Sequence, residues 1–133
     1  MGHQRRQSYE FNTTSLMKSV VEASIMKTAD KRIELQSLFD RLTKLVEAEG
    51  GENWLPGLQA VLERLVITET YGASLERRLQ EIKSIFVTMN RGQESFADFY
   101  VWRDDFDARL SANAELKNLR NNIWELLQDV PAL

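Results

Sequence analysis

Cysteine is absent from the 133 residues, which removes disulfides, thiolate metal sites and cysteine nucleophiles together. Histidine is almost absent as well. With His3 as the single example, a histidine-based Ser or Cys mechanism would have to draw it from the N-terminal stretch, and the paired Glu-x-x-His motifs of di-iron bundles cannot be assembled. The phosphate-cradling Gly-x-x-x-x-Gly-Lys and the dinucleotide Gly-x-Gly-x-x-Gly patterns are both missing. "DDFDARLSANAE" clusters acids but lacks the central glycine and ligand spacing of a calcium loop. No apolar run approaches the roughly 20 residues of a membrane-spanning helix. "MGHQRRQSYEF" has a basic pair with no apolar segment behind it, unlike a secretory signal, and Arg6 stands where a myristoylation pattern needs Ser or Thr. These absences lead us to expect a cytoplasmic, non-enzymatic protein with no cofactor, no metal site and no membrane partner.

Proline and glycine are also scarce, two and six respectively, while 43% of the residues are hydrophobic and 28% charged. That balance is ordinary for a folded domain and unlike a disordered chain. From Thr13 to Glu49 there is neither glycine nor proline. Leu35, Leu38, Leu42 and Leu45 recur there at three- and four-residue steps, which places them on one stripe of a helix. Asp30 has the character of an N-cap and suggests that the stretch breaks into a hairpin at that point.

"GGENWLPG" is the strongest punctuation: Gly50 and Gly51 suit a helix end, Asn53 a cap, and Pro56 a first turn. A helix is then expected from Pro56 to Tyr71, with Gly72 ending it. Ser74 is expected to cap the next, along which Leu75, Leu79, Ile82, Phe86 and Met89 keep helical spacing until Gly92. "LVITETY" and "SIFVTMN" carry β-branched residues, yet each continues a helical stripe and reads as a helix end. A last helix from about Ala114 to Asp129 aligns Leu116, Leu119, Ile123 and Leu127, with Pro131 just beyond. The expected architecture is all-α: an antiparallel bundle of five or six helices joined by short loops over residues 13–133, preceded by a flexible arm at residues 1–12.

"SFADFYVWRDDFDARL", Ser95 to Leu110, concentrates aromatics, aspartates and two arginines. Ser95 and Asp98 have capping-box spacing, so a helix is expected to begin there. At ~100° per residue, Phe96, Phe99, Phe106 and Leu110 then share an apolar face while Asp98 and Asp105 point away. Tyr100 and Trp102 fall at the edges of the apolar arc, either under a neighbouring helix or on a rim that meets a partner. Trp, Tyr and Arg are the side chains that dominate binding hot spots. Arg103 falls inside the arc, where a charge needs a partner, and Asp107 one turn later is available.

The whole chain carries a net charge of −3, and from Gln93 to Ala112 alone Glu94, Asp98, Asp104, Asp105 and Asp107 against Arg103 and Arg109 also give −3. The segment is thus an acidic ridge on an otherwise balanced molecule, suited to a basic partner surface. The leading functional expectation is a protein–protein interaction module of regulatory, adaptor, chaperone or inhibitor type. It would bind another protein, or a second copy as a homo-oligomer, through Tyr100, Trp102, Arg103 and Asp105. Two alternatives accompany it. One is a nucleic-acid-associated regulator using Arg5, Arg6, Arg77 and Arg78, although a pI near 5.3 argues against a phosphate-binding surface. The other is a small-ligand binder with a pocket between helices. Arg5 to Ser8, "RRQS", has the form of a basic-directed phosphorylation site. Trp54, beside a helix start, is expected to plug one end of the bundle.

Overall fold

The computed structural model describes residues 27–66 and 73–133. Among them all regular structure is helical and no strand occurs. Helix α1 spans 27–48, α2 Leu55–Leu65, α3 Ala73–Met89 and α4 Phe106–Leu127, with single 3-10 turns at Glu52–Trp54 and Phe96–Asp98. The all-α expectation holds, and four helices stand in the described residues where five or six were expected for the chain. The arm at 1–12, His3, the "RRQS" motif, the start of the first helix at Thr13, Gly72 and most of "LVITETY" lie outside the described residues.

The expected break at Asp30 does not occur. Helix α1 runs unbroken through it, and Asp30 is simply an exposed position on the outer face. A capping residue is a permission to start a helix, and packing overrides it here: Leu35, Phe39, Leu42 and Val46 are fully buried at alternating four- and three-residue steps. Leu35 and Leu42 are buried as expected, Phe39 and Val46 take the places expected of Leu38 and Leu45, and those two leucines form the half-buried flank.

The end of α1 is set by backbone chemistry. Gly50 takes φ +72°, the Gly51 N–H donates to Val46 O at 3.0 Å and the Gly50 N–H donates to Glu47 O at 3.3 Å, which together make a Schellman stop. Gly51 is needed for a second reason, because a Cβ there would sit 2.6 Å from Val46 Cγ1 and 3.1 Å from the ring of Phe99. Pro56 lies in the first turn of α2 as expected, whereas Trp54 rather than Asn53 occupies the N-cap position. The next helix already includes Ser74, so Ser74 is not its cap. "SIFVTMN" is helical to Met89, with Gly92 at φ +82° just beyond.

One core joins the helices, and Phe86 of α3 sits at its centre. Its ring meets Phe39 of α1 edge-on at 5.4 Å, Trp124 of α4 at 4.7 Å and Phe96 at 6.3 Å. Polar contacts fix the periphery. Arg32 of α1 donates to Leu65 O at the end of α2, and Arg64 of α2 pairs with Glu81 of α3 at 2.8 Å. Lys31 pairs with Asp129, while Arg41 lies 3.7 Å from Glu115. Lys83 donates to Val130 O, tying the last residues after α4 to α3.

Phe86→Ala is expected to cost about 3–5 kcal/mol, because three aromatic neighbours lose their common contact and cannot all collapse into the space. Urea unfolding followed by circular dichroism checks this; a loss under about 1 kcal/mol would contradict the central placement. The hydrogen bond and charge of Lys31 hold the Asp129 carboxyl below the usual carboxylate range. A lowered folded-state pKa stabilises the fold above the unfolded-state value and is lost as pH falls through the folded one. Lys31→Met is therefore expected to return the Asp129 NMR titration toward the ordinary range.

Candidate functional site

The expected helix from Ser95 through Leu110 does not form. Ser95 caps only a single 3-10 turn, its Oγ accepting from the Ala97 N–H, and Asp98 reaches back to the Glu94 N–H at 2.9 Å. From Phe99, whose backbone is extended, the chain has no regular structure as far as Arg103 and bends at 104–105, where Asp105 is the true N-cap of α4: its carboxylate accepts from the Ala108 N–H at 2.8 Å. The final helix therefore starts at Phe106, eight residues before the expected Ala114. Local composition agrees with this outcome, since "FYVW" is a run of aromatic and β-branched residues and "DD" ahead of "FDA" is a helix start.

An extended segment packed on a helical core has no helical ladder to satisfy its backbone, so side chains must do so. Asn113, on the second turn of α4, accepts from the Val101 N–H at 2.9 Å and donates to Val101 O at 2.8 Å; it also donates to Arg109 O. Arg120 donates to Phe96 O and, at 3.3 Å, to Phe99 O. Its guanidinium lies 4.7 Å from the Phe96 ring centre. Burial pulls the Arg120 pKa below its ordinary value, with Asp98 opposing, and an arginine remains charged under such a shift.

The extended backbone sends alternate residues to opposite sides. Val101 is fully buried, and Phe99 stacks on Phe96 at 5.7 Å beside Gly51. Trp54 is half-buried with its ring 5.6 Å from Phe96, the plug expected of it. Tyr100 and Trp102 point outward, 58% and 63% exposed. On the first turns of α4, Phe106 and Leu110 are 61% and 54% exposed, one above the other at i and i+4. Both were expected to be core and are not. Among the described residues, no neighbouring helix covers Tyr100 or Trp102. Among the described residues, four of the seven large exposed hydrophobics thus fall within eleven consecutive positions.

The charges sort into engaged and unengaged. Arg103 pairs with Glu49 at the end of α1, not with Asp107, and donates to Trp102 O. Glu49 is nearly buried and Arg103 partly so, which makes the pair a strut between α1 and the extended segment. The Arg109 guanidinium lies over the Trp102 ring at 4.3 Å and 5.5 Å from the Phe106 ring centre. It bridges extended segment and helix by cation–π contact, worth about 0.5–1 kcal/mol at an exposed site. Asp105 is occupied as a cap. Asp104 and Asp107 are exposed and form no ion pair among the described residues.

Of the four expected site residues, Tyr100 and Trp102 stand on the outer face, Arg103 and Asp105 hold that face in place, and Phe106, Arg109 and Leu110 complete it. Asn113 and Glu49 were missed as supports because their partners lie far along the chain. Of the basic residues considered for nucleic acid, Arg77 is exposed and 3.7 Å from Glu81, and Arg5 and Arg6 lie outside the described residues. No group of His, Asp or Glu that could hold a metal ion occurs among the described residues, and none of their helices is long and apolar enough to cross a membrane. No protein-family model, curated protein or solved structure matches the chain.

Asn113→Ala is expected to destabilise the fold by about 1–3 kcal/mol by stripping a buried backbone N–H and C=O of their partners. Amide hydrogen exchange should show Val101 losing protection while Ile82, deep in α3, stays slow after correction for global stability. Unchanged Val101 protection would contradict the clamp.

Proposed function

We propose that this protein is a non-enzymatic interaction module that binds another protein through the face formed by Tyr100, Trp102, Phe106 and Leu110. One observation carries the reading: four large apolar side chains stand exposed side by side on a backbone that is itself fastened at Val101, Phe96, Phe99 and Asp105. A clustered apolar exposure of this kind is costly in water unless something covers it, and scattered single residues would carry no such weight. The fastening matters equally, because a face held rigid before contact loses less conformational entropy on binding.

In this reading each side chain of the face has a role. Trp102 and Phe106 are the aromatic anchors, with Arg109 holding the two rings in register, and Tyr100 and Leu110 extend the apolar strip on either side. Arg103 supports the strip from behind through Glu49. Asp104 and Asp107 supply a polar rim. An aromatic centre within a charged rim is the usual anatomy of a hot spot. The helices behind it, with α1 and α4 running in opposite senses, are an antiparallel scaffold for this face, a reading supported by the Lys31–Asp129 and Arg41–Glu115 pairs. Regulatory, adaptor, chaperone and inhibitor roles all use such a surface, and a reducing, cytoplasmic setting suits a chain without cysteine.

Trp102→Ala and Tyr100→Ala are expected to remove a partner captured from the native cell by the wild-type chain, while each variant keeps its helical circular dichroism and loses no more than about 1 kcal/mol of stability. Collapse of the fold in both variants, or retention of every captured protein, would overturn the reading.

A further inference from the structure

We infer that the occupant of the Tyr100–Leu110 face is a basic amphipathic segment of another protein, which sets apolar side chains on Trp102, Phe106 and Leu110 and lysines or arginines against Asp104 and Asp107. The inference rests on the binding reading of the face and adds the chemistry of what fills it.

Charge complementarity selects this occupant. The two arginines of the segment are both engaged within the chain, Arg103 by Glu49 and Arg109 by the rings of Trp102 and Phe106. Arg103 is thereby neutralised, while Arg109 keeps one positive charge among the rings, outnumbered by Asp104 and Asp107, which form no ion pair among the described residues. Asp104 lies in sequence between the two aromatic anchors, and Asp107 adjoins Phe106 and precedes Leu110 by one turn, so both carboxylates border the apolar strip. Asp98 and Glu94, also exposed, extend the same sign along the approach. A cation arriving here finds carboxylates without partners beside apolar area, which favours both encounter and register.

The same charges oppose a second copy. A two-fold contact buries the same patch from both copies, so closing this face on itself would bring together two patches of the same net negative charge, and like charges across an interface are strongly unfavourable. A phosphate backbone is disfavoured for the same reason.

The test uses the full chain and two fluorescein-labelled synthetic helices of one leucine pattern, the first with lysine and the second with glutamate at every polar position, read by anisotropy. The lysine helix is expected to bind about tenfold or more tighter than the glutamate helix, and to weaken as salt rises from ~0.05 to ~0.5 M. D104N/D107N should weaken it about three- to tenfold, while E47Q/E63Q, which removes the same charge from exposed positions on α1 and α2, should leave it unchanged. Equal binding of both helices, or equal weakening by the two double variants, overturns the basic-partner inference. If Trp102→Ala still abolishes that binding, the face itself stands as the binding surface. Binding of the lysine helix that ignores Trp102→Ala overturns the face and the inference together. Light scattering should give a monomer; a dimer dissolved by Trp102→Ala would install a second copy as occupant. Iodide should quench Trp102 in the free monomer, judged against Trp102→Phe; a shielded Trp102 would hand the face to a segment of the same chain.

Discussion

The backbone of Val101 is buried against a helical core, and its N–H and C=O must find partners that no neighbouring helix turn supplies. Asn113 provides both, and most of what distinguishes this end of the molecule follows from that pair of hydrogen bonds. With Val101 fixed facing inward, the extended geometry forces Tyr100 and Trp102 outward and allows Phe99 to settle over Gly51. Arg120 repeats the device at the carbonyls of Phe96 and Phe99. A non-helical insert in an all-α scaffold is thus made rigid by two side chains projecting from α4.

The electrostatics are divided with similar economy. Asp105 spends its carboxylate on starting α4, Arg103 and Glu49 brace the segment from α1, and Arg109 spans Trp102 and Phe106. Asp104 and Asp107 form no ion pair among the described residues and outnumber the one charge that Arg109 keeps between the rings. The proposed binding function depends on that division: an apolar strip held in a single conformation, rimmed by those two carboxylates. Had the chain continued as a helix from Ser95, Phe106 and Leu110 would have turned into the core and the strip would not exist.

Legibility in the sequence followed the range of the interactions involved. Helix periodicity is local, and it placed Leu79, Ile82 and Phe86 of α3 and Leu116, Leu119, Ile123 and Leu127 of α4 in the core where they are found. The "GGENWLPG" stop is also local and was read with only its cap residue misassigned. Asp30 and Ser95 share a cause: each has capping chemistry, yet Asp30 lies inside a helix and Ser95 caps only a single 3-10 turn, because packing elsewhere decides whether a helix starts and how far it runs. The wheel drawn through Ser95–Leu110 was self-consistent, but consistency with a helix does not exclude another solution. "FYVW" and the aspartate pair at 104–105 favoured the alternative. The partners that decide it, Asn113 twelve residues beyond Val101 and Glu49 far before Arg103, are not adjacent in any local window. Tyr100 and Trp102 stand exposed on a non-helical segment, not at the edges of the helix that the wheel predicts.

The most direct test of the extended segment is the set of backbone Cα and Cβ chemical shifts across residues 95–113 of the isotope-labelled full chain in solution. Extended-type shifts from Phe99 to Asp104, switching to helical at Phe106, are the expected result. Unbroken helical shifts from Phe96 to Asn113 would contradict it, returning Phe106 and Leu110 to the core and dissolving the face on which the functional proposal stands.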